Sequence, residues 1–162
     1  MATITKILAA VDFSEATPAV AAYACTLAKR YAAEVLVLNA TPALKRYKRF
    51  ELSPENIDFF ANSILYDAEK KMQQCLQTLF LDVRATGRVL MGYAPEIILT
   101  VATEENADLI VLGTHGRQGL NRMLFGSVAE KVLKAATIPV LTVRPEKPIS
   151  PDIAPPLPFA GP

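Results

Sequence analysis

Short apolar runs, mostly β-branched and spaced so that a helix fits between each pair, constrain this chain more than any other feature. They are Ile7 to Val11, Val35 to Leu38, Leu109 to Leu112 and Val140 to Val143, with a weaker run from Val83 to Val89. The four stronger runs lack the polar alternation of a half-exposed strand, so they read as strands covered on both faces. Between the runs the apolar period becomes helical. Val20, Tyr23, Ala24, Leu27, Ala28 and Tyr31 make one stripe, and Ile57, Ala61, Ile64, Ala68, Met72, Leu76 and Leu79 a second. A third helix is expected from about Pro95 with Ile97, Ile98 and Val101 inward. A fourth is expected from Ser127 with Val128, Val132, Leu133 and Ala136 inward. The pattern is (βα)4β. Crossovers between parallel strands are right-handed, so the expected fold is α/β: an open five-stranded parallel sheet with helices on both faces. Its ligand site is expected beyond the carboxyl ends of the strands, where chain order reverses.

A chain of 162 residues, 51% hydrophobic, fits one domain with a substantial core. That domain is expected over residues 1–145. Repeated proline from Pro145 onward rules out a further helix or central strand and makes 146–162 an extended, Pro-rich tail, either solvated or packed on a partner. A net charge of +1 supplies no broad positive field, which argues against a nucleic-acid binder; the one basic run is Lys45 to Arg49. No apolar stretch reaches the roughly 20 residues of a membrane span, and no leader pattern opens the chain, so a cytoplasmic protein with no membrane partner is expected. Cys25 and Cys75 are too far apart for a Cys-x-x-Cys pair and read as small core residues. Ser14 is one candidate cap for the first helix and Thr17, followed by Pro18, is another. The stretch from Thr41 to Pro54 is an irregular connection at the carboxyl rim, either functional or variable surface.

After the fourth strand come Gly113, Thr114, His115 and Gly116, then nine residues, then Gly126 and Ser127 at the start of a helix. Glycines let backbone amides approach a bulky anion, and a helix N-terminus offers unpaired N–H groups and the positive end of a dipole. The spacing reads as a phosphate cradle to which Ser127 adds a hydroxyl. Asp12, at the end of the first strand, faces the same crevice. Its carboxylate repels phosphate directly, so it either reads the nucleoside, holds Mg2+ through water, or braces its own loop.

From Lys6 to Arg144 the chain resembles a single-domain universal stress protein. Ile7 to Glu15 is similar to that family's opening strand and loop, Gly92 to Ile97 to its third-helix entry, and Gly113 to Ser127 to its nucleotide motif. The resemblance implies the adenine nucleotide alpha hydrolase-like variant of the Rossmann architecture and the ATP-binding branch, with Mg2+ carried on the phosphates rather than by protein ligands. It also implies a base pocket that includes Ala10, Val11, Asp12, Asn39 and Ala40, although Asn39 and Ala40 stand where a histidine and a larger aliphatic residue are common. Met91 and Gly92 either close another wall or pack ordinarily. Thr114, His115, Gly116, Arg117 and Gly119 would open the phosphate loop, and Gly126, Ser127 and Val128 would close it. Arg117 and Arg122 either screen phosphate charge or lie on the surface. His115, the lone histidine, either braces the loop or touches phosphate; alone it makes no zinc site or catalytic triad.

A P-loop lysine motif and a Gly-x-Gly-x-x-Gly fingerprint are both missing from the sequence. With no recognisable general base, rapid phosphoryl transfer is not expected and no catalytic residue is named, although slow ATP hydrolysis stays open. The last strand, Val140 to Arg144, falls at a sheet edge that needs cover. The resemblance implies a homodimer that pairs these strands; coverage by the tail is the alternative. The expected function is ATP binding in a stress-response or regulatory dimer with a further protein partner. A nucleotide-free interaction module of the same fold is the competing class.

Overall fold

The computed structural model describes residues 3–43, 54–114 and 126–144, and within them strand and helix alternate without exception. The order is β1 (Lys6–Ala10), α1 (Thr17–Tyr31), β2 (Glu34–Thr41), α2 (Pro54–Leu79), β3 (Ala85–Met91), α3 (Ala94–Glu104), β4 (Leu109–Gly113), α4 (Ser127–Ala135) and β5 (Val140–Val143). The five strands lie in the order β3-β2-β1-β4-β5 and every pairing is parallel. Chain order therefore reverses between β1 and β4, which are neighbours in the register Ala10↔Leu112.

Consecutive strand side chains point to opposite faces, and both faces are covered, which is why the runs carry no polar alternation. Ile7, Ala9, Val35, Val37, Leu109 and Val111 form one core with Val20, Ala24 and Ala28 of α1 and Met72 and Cys75 of α2. Leu8, Leu36, Leu38, Ile110 and Leu112 form the other with Ile98 and Val101 of α3 and Ala129 and Val132 of α4. Burying a side chain of this size contributes about 1.5 to 3 kcal/mol, so the central strands dominate the hydrophobic stabilisation.

Four details differ from the sequence expectations. The third strand runs Ala85–Met91 rather than Val83 to Val89; Val83 instead closes the turn after α2, its amide donating to the Phe80 carbonyl. Tyr23 and Tyr31 are 55% and 50% exposed, not inward. The buried face of α1 is Val20, Ala21, Ala24 and Ala28, small residues that bring the helix close to the sheet and push phenols at the margin of the stripe outward. Leu133, at the margin of the stripe on short α4, is also exposed. Neither Ser14 nor Thr17 is the cap of α1: Ala16 holds that position, and Pro18 sits in the first turn.

Charged side chains collect at the amino end of the strands. Lys6 pairs with Glu34 at 3.0 Å and Glu105 at 3.2 Å, and Arg88 reaches Glu105 at 3.1 Å. Asp108 Oδ2 accepts from the Thr5 and Lys6 amides and the Thr5 hydroxyl. These hydrogen bonds, the Thr5 amide's foremost, hold its carboxyl below the usual carboxylate range. Cys25 is half-buried and Cys75 buried, both as free thiols, and desolvation pushes both up. That agrees with the inert packing role expected for them.

Candidate functional site at the carboxyl rim

Five segments converge where the strands end. One residue beyond the Ala10↔Leu112 pair, Val11 leaves β1, while the neighbouring β4 ends at Gly113, still paired with Val143 of β5. Ala10 is half-buried and Val11 buried. Asp12 is half-buried, and its Oδ1 accepts the Ser14 amide at 3.0 Å, so one carboxylate oxygen braces the turn. Ser14 continues the brace: its hydroxyl accepts the Ala16 amide at 3.3 Å and its carbonyl accepts the Thr17 amide at 3.0 Å. Between them Phe13 adopts φ 57°, the left-handed region that a bulky residue rarely enters. Sequence reasoning missed Phe13, because a phenylalanine carries no signal for that conformation.

Asn39 and Ala40 end β2 beside this turn. Ala40 is half-buried, whereas Asn39 is 4% exposed and its side chain does not open onto solvent. Its Nδ2 donates to the Val11 carbonyl at 2.9 Å, and its Oδ1 is buried without a partner among the described residues. Met91 and Gly92, both half-buried, follow β3. Gly92 donates its amide to the Thr41 carbonyl at 2.8 Å and has φ 154°, where a Cβ would come 2.9 Å from Ile97 Cδ1. Glycine is required there by backbone and by space. Thr41, which sequence reasoning did not single out, ties the same two strand ends through its hydroxyl on the Leu90 carbonyl at 3.2 Å.

The ends of the glycine motif meet. Thr114 is buried; its amide donates to the Val143 carbonyl, and its carbonyl accepts the Gly126 amide, so the two described ends of the motif are joined directly. His115, Gly116, Arg117 and Gly119 lie outside the described residues, as do Arg122, the Lys45 to Arg49 run and the tail. Gly126 caps α4 at φ −69° and ψ 161°, a conformation open to any residue, so its glycine is not demanded by the backbone. No side chain among the described residues caps this helix, which leaves the first-turn amides at Ser127 and Val128 facing the rim. Ser127 is exposed and Val128 half-buried.

Charged side chains flank the start of α4. Glu130, the acid of the first turn, is drawn one turn down the helix by Lys134 at 2.6 Å, and that hydrogen bond holds its carboxyl low. Lys131 lies 4.9 Å from the Tyr93 ring centre and donates to its hydroxyl, linking the entries of α3 and α4. Among the described residues no three His, Cys, Asp or Glu side chains gather to hold a metal, and no helix is long and apolar enough to cross a membrane.

The family model described as the universal stress protein family matches residues 3–144. A universal stress protein of Methanocaldococcus jannaschii is 33% identical over 147 residues, covering 88% of this chain and 83% of its own. Among solved structures, a second M. jannaschii protein, MJ0577, superposes with TM-score 0.79 at 26% identity, covering 90% of this chain and 99% of that one. The universal stress protein of Archaeoglobus fulgidus in complex with dAMP superposes with TM-score 0.61 at 22% identity, over 88% of this chain and 98% of that one, a likeness of fold.

Proposed function

The chain belongs to the universal stress protein family, and from that premise we propose that it binds an adenine nucleotide, ATP with Mg2+, at the carboxyl rim between β1 and β4. The bound nucleotide acts as a regulatory ligand and not as a rapidly consumed substrate. The observation that carries this reading is the hydrogen bond from the Gly126 amide to the Thr114 carbonyl, which joins the two ends of the glycine motif. That contact sets the start of α4, which no side chain among the described residues caps, at the end of β4 and so next to β1, and one ligand can then meet Asp12 with its nucleoside and the α4 amides with its phosphates. The dAMP complex of the Archaeoglobus relative supports an adenine nucleotide as the ligand class.

Asp12 is the one acid among the proposed rim contacts, and one of its oxygens already serves the Ser14 amide. Mg2+ arrives on the phosphates, and Asp12 meets it through water. Residues 1–145 form the nucleotide domain and 146–162 a tail; the protein works in the cytoplasm with a further protein partner. Two copies join through Val140 to Arg144. Support for that pairing is the edge position of β5, where Val140, Leu141 and Thr142 stay half-exposed.

Titration of ATP into nucleotide-stripped protein tests the reading. Gly126→Val keeps an allowed backbone but fills the space above the α4 amides. It is expected to weaken ATP binding at least about tenfold, roughly 1.4 kcal/mol, while the protein stays folded. Unchanged affinity in a folded variant retires the cradle. A second reading, a nucleotide-free interaction module, is favoured by the exposed Phe59, Phe60 and Tyr66 on α2. The absence of any ATP binding by the wild type selects it.

A further inference from the structure

The β1–β2 pairing ends at Ala10↔Leu38, with the Val11 amide still bonded to the Leu38 carbonyl. One residue further along β2, the Asn39 side chain takes the Val11 carbonyl. A side-chain amide thus extends a ladder that the backbones no longer continue. The turn beyond Val11 needs that hold. Asp12 stands next, and Phe13 after it occupies the left-handed region, a conformation that persists only when its surroundings over-determine it. The turn is gripped at both ends: Asn39 fixes the carbonyl before it, and Asp12 fixes the Ser14 amide after it. Phe13 itself packs against the core beneath α1 and α2.

We propose that Asn39 is a positioning residue for the nucleoside end of the ligand: buried and out of reach of the ligand, its amide holds the Val11 carbonyl and thereby aims Asp12 into the crevice. The inference rests on the nucleotide reading and deepens it. It explains a polar side chain at a buried strand position where its neighbours Val37 and Leu38 are apolar.

Calorimetric titration of adenosine, AMP and ATP into wild type and Asn39→Leu is the test, run well below the melting temperature so that only folded protein is titrated. Leucine keeps the branched shape of the side chain and removes the donor. The expected result is a common loss of about tenfold for all three ligands, because an unsatisfied buried carbonyl shifts the turn and the turn meets the nucleoside they share. Asn39→Ala, which cannot crowd the site, is expected to show the same uniform loss and stands in if the leucine variant does not fold. A fall in melting temperature with unchanged affinities overturns the proposal and leaves Asn39 a purely structural brace. A loss confined to ATP also overturns it, because the effect then lies at the phosphates. Wild type that binds none of the three removes the nucleotide reading itself, an outcome distinct from wild-type binding that Asn39 variants do not alter.

Discussion

Asp108 shows how one side chain makes stability depend on pH. Its carboxylate accepts three hydrogen bonds from Thr5 and Lys6, which lower its folded pKa beneath the unfolded value of about 3.9. A carboxylate shifted downward stabilises the fold above the unfolded pKa, and the contribution disappears as pH falls through the folded one. Asp108→Asn is therefore expected to cost stability at pH 7, by under about 1 kcal/mol because solvent screens the site, and to cost progressively less towards pH 3. Urea denaturation at both pH values reads the difference; a constant gap excludes the charge as its cause. Legibility at this scale varied with the signal a residue carries. Gly92 is legible as the start of the third-helix entry, and its φ and its approach to Ile97 require glycine. Phe13, which needs an unusual backbone, left no trace, because a left-handed phenylalanine is imposed by its surroundings and not by its own preference. Asn39 was visible as a residue of the base pocket, yet its link to the Val11 carbonyl depends on a strand register that no single sequence displays.

Among the elements, β3 and α2 are coupled by a missing side chain. A Cβ at Gly87 would lie 2.6 Å from Met72 Cγ, 2.8 Å from its sulfur and 3.1 Å from Leu76 Cδ1. Met72 is buried, so it cannot swing aside freely. Gly87→Ala is expected to destabilise by about 1 to 3 kcal/mol. In a Met72→Ala background, itself costly, the same change becomes nearly neutral or favourable because it refills the gap. Additive midpoints in a double-mutant cycle would show that the two do not touch. This same contact explains the displaced third strand. Val83 has the apolar, β-branched character that suggests a strand, whereas Ala85 and Gly87, the positions of the strand start that face α2, have neither bulk nor branching. Their small size serves the close passage of α2, so packing between elements overrode local preference there. Strands β1, β2 and β4 were legible because burial on both faces writes itself into composition.

Across the whole molecule, nucleotide occupancy should appear as thermal stability. Nucleotide at 100 times its dissociation constant stabilises the native state by about 2.7 kcal/mol, which for a domain of this size raises the melting temperature by about 5 to 11 °C. A thermal scan with and without saturating Mg2+-ATP measures it, and coincident melting curves count against binding. The order β3-β2-β1-β4-β5 places the crevice at the carboxyl rim, while the ion pairs of Lys6, Glu34, Arg88 and Glu105 and the Asp108 hydrogen bonds clasp the opposite end. The proposed nucleotide site and the fastening contacts are thus separated along the length of the strands. Substitutions around the proposed site therefore leave the contacts that fasten the other end of the sheet in place, so a change in what the rim holds need not weaken the fold.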